Sequence, residues 1–280
     1  MLNLKLLLFY SSGFAASVLL AILIFIFATT KQYPLVKRSK KERYFIDPST
    51  GEEIEFPCLH EECSLDLSVI VPAYNEEKRL PSMLEECINF LNTTPICYEI
   101  IVVSDGSTDK TVDVANDFSK KFGSNKVRVL ALEANRGKGG AVRLGMLSAR
   151  GAILLFADAD GATKFSDYEK LEYALRNLTK ENGKWMANKM AIAIGSRAHL
   201  EKESIATRSI FRTILMAFDV ELLKIAQSLK IPVAEIPVTW TEIDGSKVTP
   251  VLSWIEMAVD LGLIWLRYSI GAWKIRTHSH

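Results

Sequence analysis

The sequence lacks the motifs of several large classes of protein. Its four cysteines form no C-x-x-C pair and have no zinc-type spacing to the histidines. Cys58 and Cys63 could bridge in an oxidising compartment, but four reduced thiols are favoured in a chain of this size. No G-x-G-x-x-G follows the first predicted strand, which argues against a dehydrogenase. The 34 basic and 33 acidic residues leave a net charge of +1, which argues against a nucleic-acid partner.

The N-terminal region contains one long apolar run. Leu6 to Ala28 carries no charge and would reach roughly 35 Å as a helix, enough to cross a bilayer. Only Lys5 precedes the run, whereas six basic residues follow it closely. The positive-inside tendency therefore predicts a single-pass anchor with the rest of the chain in the cytosol. The six residues are Lys31, Lys37, Arg38, Lys40, Lys41 and Arg43.

The organisation predicted from composition has four parts. The anchor occupies residues 1–30, and a charged, proline-containing juxtamembrane linker follows over 31–64. A single α/β domain is predicted over 65–250, because the 280 residues are too few for two comfortable domains beside an anchor. The apolar, tryptophan-containing stretch 251–280 contains charges too, so an interfacial or packed helix suits it better than a second span.

Short β-branched runs alternate with helical patterns from Leu65 onward. This alternation predicts βαβ units and a mostly parallel sheet with helices on both faces. The predicted helices lie near 79–92, 109–122, 138–149 and 166–180. The predicted strands are Leu67–Val71, Glu99–Val103, Val127–Leu132, Ala152–Phe156, Met190–Ile194 and Val233–Val238.

Polar clusters follow five of these strands in succession. Ligands of open α/β sheets bind outside the carboxyl ends of the strands. Five polar clusters at the carboxyl ends of five strands therefore favour one shared site over five unrelated loops. The clusters are Tyr74–Glu77, Asp105–Asp109, Asn135–Gly140, Asp158–Gly161 and Gly195–Arg197.

Two of the clusters suggest how a phosphorylated ligand is held. Asp158 and Asp160 stand one residue apart at the end of an apolar strand, where they could bind Mg²⁺ or Mn²⁺; a solvated turn is the alternative. Asn135–Ala141 is a basic, glycine-rich loop that opens a helix, where free N–H groups and Lys138 would favour an anion. It lacks Walker A spacing, and a tight turn is its alternative.

Other residues are candidates for the two ends of a substrate. The Tyr74 ring could pack on a nucleobase and Asp105 could accept a base N–H, although a partly buried aromatic and a helix-capping turn are equally ordinary readings. Arg208 and Arg212 share a helix face and could grip a phosphate, unless they form a solvated basic face. Lys247 could meet a phosphate or lipid headgroups, or lie in a plain turn.

Taken together, these strings resemble a known family. Val69–Glu76, Asp105–Ser107 and Asp158–Asp160 are similar to glycosyltransferase family 2, which has the GT-A fold. Four longer strings closely resemble the dolichyl-phosphate β-glucosyltransferase family within it, and the resemblance covers nearly the whole chain. These strings are Asn135–Ala141, Asp158–Phe165, Gly195–Leu200 and Trp240–Glu242.

The resemblance implies a function and a set of site residues. Family members transfer glucose from UDP-glucose to dolichyl phosphate with inversion, on the cytosolic face of the endoplasmic reticulum membrane, for N-glycan precursor assembly. Asp160 and Asp219 would be the catalytic residues, and Asp158 and Asp160 the metal ligands. The donor would contact Pro72, Tyr74, Glu76, Asp105, Lys138 and Asp158, and the acceptor phosphate Arg197, Arg208, Arg212 and Lys247.

The sequence departs from the family pattern in two places. Ser104 replaces the first of two adjacent aspartates before Gly106. After Met216 the chain runs directly into Ala217–Leu223, so a few dozen residues with a Gln-Cys-Gly-Phe-Lys string are missing. Two alternatives therefore stay open: the same fold with another donor such as GDP-mannose, and a catalytically impaired membrane-tethered form that lacks part of the acceptor site. The sequence does not indicate an oligomeric state.

The orientation of the anchor generates a first prediction. Asn92-Thr93-Thr94 and Asn177-Leu178-Thr179 are glycosylation sequons, which are modified only in a lumenal domain. We expect both to remain bare in cells, so glycosidase treatment should leave the gel mobility of the chain unchanged. A mobility shift that disappears in Asn92→Gln or Asn177→Gln would contradict the cytosolic orientation.

Overall fold

The computed structural model describes residues 2–30, 38–58, 61–186, 188–196, 217–241 and 261–275. These residues form two compact units. The helical unit contains α1 (Leu2–Thr29), α6 (Ala217–Ser228) and α7 (261–269). The α/β unit contains the remaining elements and the candidate site.

The α/β unit is built from strands and helices that alternate along the chain. Its helices are α2 (Leu80–Leu91), α3 (Thr111–Phe122), α4 (Gly137–Met146) and α5 (Tyr168–Leu178), with 3-10 turns at Lys41–Arg43 and Phe165–Asp167. Its strands are β1 (Tyr44–Ile46), β2 (Glu53–Glu55), β3 (Leu65–Ala73), β4 (Tyr98–Ser104), β5 (Val127–Ala131), β6 (Gly151–Phe156), β7 (Lys180–Glu181), β8 (Lys184–Trp185), β9 (Ile192–Ser196) and β10 (Val233–Pro237).

The central sheet is parallel, as the alternation predicts. Its order is β5-β4-β3-β6, and every neighbouring pair in it is parallel. All seven residues of β4 are buried, which explains why this strand reads as an uninterrupted β-branched run rather than as an alternating one. The GT-A-like, mostly parallel arrangement expected for this stretch is therefore present.

Both faces of the sheet are covered, because successive strand residues point to opposite sides. Val69 and Val71 join α2 and α3 in one apolar cluster, which also contains Phe118 and Phe165. Ile70 lies in a second cluster with residues of β4, β5 and α4. Helices on both faces are thus confirmed for the central sheet.

Part of the segment predicted as a linker, residues 31–64, folds as a hairpin in the structure. Residues 38–58 include an antiparallel hairpin of β1 and β2. The side chains of Phe45 in β1 and of Phe56, directly after β2, are buried in the second cluster with Leu130 and Leu144. The Phe45 and Phe56 rings lie 5.0 Å apart. Burial of these aromatic side chains makes the hairpin a layer of the α/β unit, although its many charges suggested a solvated tether.

The strand order places a crevice beside β3. The chain passes from β3 to β4 and β5 in one direction and then crosses back to β6 on the other side of β3. Such a reversal is the usual ligand-binding position of an open α/β sheet. Ser104 pairs with both Ala73 and Ala131, so three strands end level with one another. The predicted domain boundaries themselves stay a prediction.

The last two strands form a two-stranded sheet of their own. β9 pairs in parallel with β10, and in the described part of the chain neither strand joins the central sheet. Beyond β10 the chain turns back to the loop after β6, where Thr163 and Trp240 form an antiparallel bridge. This return brings the end of β10 beside the acidic cluster.

In the helical unit, α1 is long and apolar. Its segment Phe9–Ala28 has the length and composition needed to cross a membrane, and it is the one such helix among the described residues. Large apolar side chains such as Phe14 and Phe25 are exposed along it. In the same unit, the Tyr268 hydroxyl of the α7 helix donates a hydrogen bond to Glu221 of α6 at 3.0 Å.

Candidate active site at the carboxyl ends of the strands

The loop after β3 is fastened to the loop after β4. Asn75 adopts a left-handed conformation with φ 55°, which an asparagine tolerates well. Its side-chain oxygen accepts the Thr108 N–H at 2.8 Å, and its own N–H donates to the Ser107 hydroxyl at 3.2 Å. The first two polar clusters therefore meet. The Tyr74 side chain between them is exposed, and an aromatic ring at this position presents apolar surface to a ligand.

Glu76 does not point freely into this site. Its carboxylate accepts two hydrogen bonds from Arg79, at 2.6 Å and 2.5 Å, and its N–H donates to the Thr111 hydroxyl. Glu76 first, and Asp160 to a smaller extent, raise the pKa of the Arg79 guanidinium against the effect of its burial. The sequence analysis did not single out Arg79, although Glu76 three residues earlier has the spacing at which opposite charges pair across a helical turn.

Asp105 is buried at the end of β4. Its side chain accepts the Arg136 N–H at 2.8 Å, which joins the second cluster to the glycine-rich loop. Burial raises the pKa of this carboxyl, although the N–H groups of Arg136 and Gly137 act in the opposite direction. An additional N–H donor from a ligand would add to the effect of these two N–H groups and so favour the ionised form of Asp105. Asp105 is thus prepared to accept such a donor.

Gly106 lets the two loops approach closely. Its φ is +66°, and a Cβ at this position would lie 2.7 Å from the Asn135 nitrogen and 2.9 Å from the Ala134 carbonyl carbon. Both atoms belong to the main chain and cannot move aside. The position therefore requires glycine for conformation and for space.

The glycine-rich loop begins α4 and reaches the acidic cluster. Gly137, with φ +74°, is the first residue of the helix, whose first N–H groups have no partner within the helix. The Lys138 ammonium lies 2.5 Å from Asp158. The third and fourth clusters are therefore in contact, with an anion-binding helix end directly beside a carboxylate.

The residues of the acidic cluster suit a divalent cation. Asp158 is exposed, Ala159 is 4% exposed and Asp160 is intermediate, so both carboxyl groups can be reached from solvent while the residue between them is packed in the core. One Asp160 oxygen accepts the Ala162 N–H at 3.0 Å. Among the described residues no third acidic, cysteine or histidine ligand joins them. Such a pair leaves positions for phosphate oxygens and water, as Mg²⁺ commonly requires.

The segment after β10 borders the acidic cluster. The Thr241 N–H donates to the Ala162 carbonyl at 2.8 Å, and the Lys164 N–H donates to the Thr239 carbonyl at 3.0 Å. At the start of this segment, the Val238 N–H donates to the Ser196 carbonyl at the end of β9. The fifth cluster is therefore linked through β10 to the fourth.

Five predicted site residues are not among those that the structure places at this edge of the sheet. Asp219 lies in α6 of the helical unit. The four predicted acceptor residues lie outside the described residues. They are Arg197, Arg208, Arg212 and Lys247.

The structure thus brings the loops of all six donor-side candidates together, while the roles of these residues stay predictions. They are Pro72 at the end of β3, Tyr74, Glu76, Asp105, Lys138 and Asp158. Comparison with known proteins decides the family. The profile of Glycosyl transferase family 2 matches residues 68–216, which contain all of these positions. A dolichyl-phosphate β-glucosyltransferase of Drosophila melanogaster is 52% identical over 314 aligned positions, which cover 95% of each chain.

The chain belongs to this family of glycosyltransferases. The dolichyl-phosphate β-glucosyltransferase of Homo sapiens is 45% identical with 94% of each chain covered, and that of Saccharomyces cerevisiae is 34% identical with 91% covered. The resemblance inferred from the sequence strings and the GT-A fold class that it implied are both confirmed.

The family alignments are longer than the chain. The alignment with the Drosophila protein has 314 positions and this chain has 280 residues, so at least 34 aligned positions have no residue here. The family profile ends at Met216, the residue after which the sequence predicts a missing segment. The size of the gap agrees with the few dozen residues expected from the family pattern.

Solved structures show a more distant likeness. The Mycobacterium tuberculosis glucosyl-3-phosphoglycerate synthase, in complex with Mn²⁺, UDP and glucosyl-3-phosphoglycerate, is 17% identical; the match covers 77% of this chain and 82% of that one, with a TM-score of 0.46. The Staphylococcus aureus TarS structure with UDP is 23% identical and covers 52% of this chain and 39% of that one, with a TM-score of 0.32. The family assignment rests on the sequence relatives.

Gly106 provides a test of how closely the loops pack. Gly106→Ala should lower the free energy of unfolding by about 1–2 kcal/mol for the left-handed conformation and by about 1–3 kcal/mol more for the clash. Gly51→Ala is the control, because Gly51 has φ +76° but open space around its Cβ position. Denaturant unfolding in detergent measures both variants. Equal losses would contradict the close approach of the two loops.

Proposed function

We propose that the chain transfers glucose from UDP-glucose to dolichyl phosphate, giving dolichyl β-D-glucosyl phosphate. Its family membership supports the glucosyl transfer and the lipid acceptor. One observation carries the donor side: Asp105, the start of α4 with Lys138, and the Asp158–Asp160 pair are joined by direct contacts at one sheet edge. A nucleoside diphosphate sugar requires a hydrogen-bond acceptor for its nucleobase, and an anion-binding helix end and a cation site for its diphosphate.

The uridine would lie over the loops after β3 and β4. The exposed Tyr74 ring supplies a stacking surface beside Pro72, and Asp105 accepts the base N–H. Glu76 would contribute to this part through Arg79, whose guanidinium it holds by two hydrogen bonds. These assignments are consistent with the sequence prediction, with Arg79 added.

The diphosphate would lie between α4 and the acidic cluster. The Lys138 ammonium and the N–H groups that follow Gly137 in the first turn of α4 would contact its oxygens, because the Gly137 N–H already donates to Asn135. Asp158 and Asp160 would hold Mg²⁺ or Mn²⁺. When bound, the cation neutralises charge that develops on the departing diphosphate. Since Lys138 pairs with Asp158 in the structure, ligand binding would exchange this ion pair for a lysine–phosphate and a carboxylate–metal contact.

The transfer is a single displacement at the anomeric carbon. An oxygen of the lipid phosphate forms the new bond to C1 from the face opposite UDP, the C1–O bond to the diphosphate breaks, and UDP departs with the electron pair. A phosphate monoester has a second pKa of about 6, so it is largely ionised and needs no strong base. Asp219 would supply polar assistance. The acceptor phosphate would be held by Arg197, Arg208, Arg212 and Lys247.

The proposed location is the endoplasmic reticulum membrane. The apolar helix α1 would be a single anchor, and the basic residues after it favour a cytosolic catalytic unit. The product would serve N-glycan precursor assembly, as in the family that the sequence resembles. The gap of at least 34 aligned positions supports a second candidate, a tethered form that binds the donor but transfers poorly.

A transfer assay tests the proposed reaction. The full chain in detergent is incubated with dolichyl phosphate, Mg²⁺ and radiolabelled UDP-glucose, with GDP-mannose as the comparison donor. We expect lipid-extractable label from UDP-glucose and none from GDP-mannose. Label from GDP-mannose would contradict the sugar assignment. Binding of UDP-glucose without transfer would instead support the impaired form.

Asp160 tests the metal assignment. Asp160→Asn keeps an oxygen for the Ala162 N–H but removes a charged ligand, so metal-dependent transfer should fall on the order of a hundredfold or more with the fold retained. Mn²⁺-dependent UDP binding should weaken in parallel, which provides a readout apart from turnover. Asp117→Asn, at an exposed position of α3, is the control. Unchanged transfer and binding in Asp160→Asn would remove the metal site.

A further inference from the structure

A fully buried carboxylate holds the glycine-rich loop from behind. Glu42 lies in the 3-10 turn before β1, and none of its surface is exposed. One nitrogen of the Arg136 guanidinium donates to both Glu42 oxygens, at 2.8 Å and 2.9 Å, and the Glu133 N–H donates to one of them at 3.0 Å. Glu42 therefore contacts two residues of the loop that leads into α4.

The environment of Glu42 keeps it ionised. Burial raises the pKa of the carboxyl, but the N–H groups of Ser39 and Glu133 together with the Arg136 guanidinium outweigh this effect and lower the pKa below its ordinary value. The contact with Arg136 is thus a charged, hydrogen-bonded pair, which fixes geometry better than a neutral contact does.

Arg136 is the residue through which this pair reaches the candidate site. Its N–H donates to Asp105, and its Cβ lies 2.7 Å from the place where a Gly140 side chain would begin. The base of the Arg136 side chain therefore packs against Gly140 in the first turn of α4, the turn that carries Lys138. Among the described residues, the second terminal nitrogen of Arg136 is buried without a hydrogen-bond acceptor, so Glu42 is the group that orients the guanidinium.

We propose that Glu42 is a positioning residue for the donor site, one that the resemblance did not indicate. Its carboxylate holds Glu133 and Arg136 so that Asp105 faces the base, and the first turn of α4 faces the diphosphate, of the bound nucleotide. The inference rests on the proposed function, because it assigns a role within the same site. It also makes the segment before β1 part of the donor-binding machinery.

Glu99 is a matched control for burial and charge. It too is fully buried, and it pairs with Arg128 at 3.4 Å and Arg150 at 3.1 Å. However, Glu99 is the second residue of β4, whereas Asp105 follows the last residue of the same strand. Substitution of Glu99 therefore disrupts a comparable buried network at the opposite end of the sheet, away from the candidate site.

The experiment measures binding of UDP with Mn²⁺ to the full chain in detergent by titration calorimetry. Glu42→Gln keeps the size of the side chain, and we expect it to raise the Kd for UDP about tenfold or more. Glu99→Gln should leave the Kd unchanged, even where it lowers the unfolding temperature. Arg136→Met should reproduce the rise in Kd, and adding Glu42→Gln to it should change the Kd little further.

Arg136→Met also provides the test if Glu42→Gln does not fold. An unchanged Kd in the folded variants, or an equal rise in Glu42→Gln and Glu99→Gln, would overturn the positioning role while leaving the proposed function intact. Failure of the unsubstituted chain to bind UDP would overturn both. Failure of transfer alone, with the expected pattern of Kd values, would support the positioning role and contradict only the reaction.

Discussion

The candidate site depends on where the parallel strands end: three of the four central strands end at the same level. Ser104 of β4 is paired with Ala73 of β3 and Ala131 of β5, while β6 stops opposite Ile70, three residues earlier. The residues after β6 therefore run alongside the end of β3, which brings the acidic pair to the loop of Tyr74. A shift of one residue in this register would turn the buried side chains to the wrong faces, so packing of both faces fixes the site.

Charge balance is the second organising feature of this edge. The Lys138–Asp158 pair and the Glu76–Arg79 pair place an acid beside a base at two points of this edge. A metal–diphosphate complex carries both kinds of charge, so its cation can replace Lys138 beside Asp158 while its phosphate takes up the Lys138 ammonium. On the proposed function, binding therefore rearranges this ion pair without leaving either of its members unpaired.

Much of this organisation was predictable from the sequence, because it depends on local patterns. The β-branched runs and the helical spacing predicted the central strands and helices to within about three residues, an agreement typical of long periodic segments. Polar clusters at strand ends predicted which loops would meet. In the structure these loops do meet, through the contacts of Asp105 with Arg136 and of Lys138 with Asp158. The strand order that brings them together is constrained by the alternation of strands and helices.

The remaining features depend on tertiary contacts that have no local signal. The β1–β2 hairpin looked like a charged linker because only Phe45 and Phe56 enter the core. The Glu42–Arg136 pair joins residues 94 positions apart, so no spacing rule could indicate it. Sequence alone likewise gave no reason for β9 and β10 to form a sheet apart from the central one.

A structure of the full chain with UDP and Mn²⁺ bound would test the central claim most directly. The account predicts the pyrophosphate at the first turn of α4, the cation on Asp158 and Asp160, and the base between the loops that follow β3 and β4. Nucleotide bound at any other edge of the sheet, or a cation held without either aspartate, would contradict it.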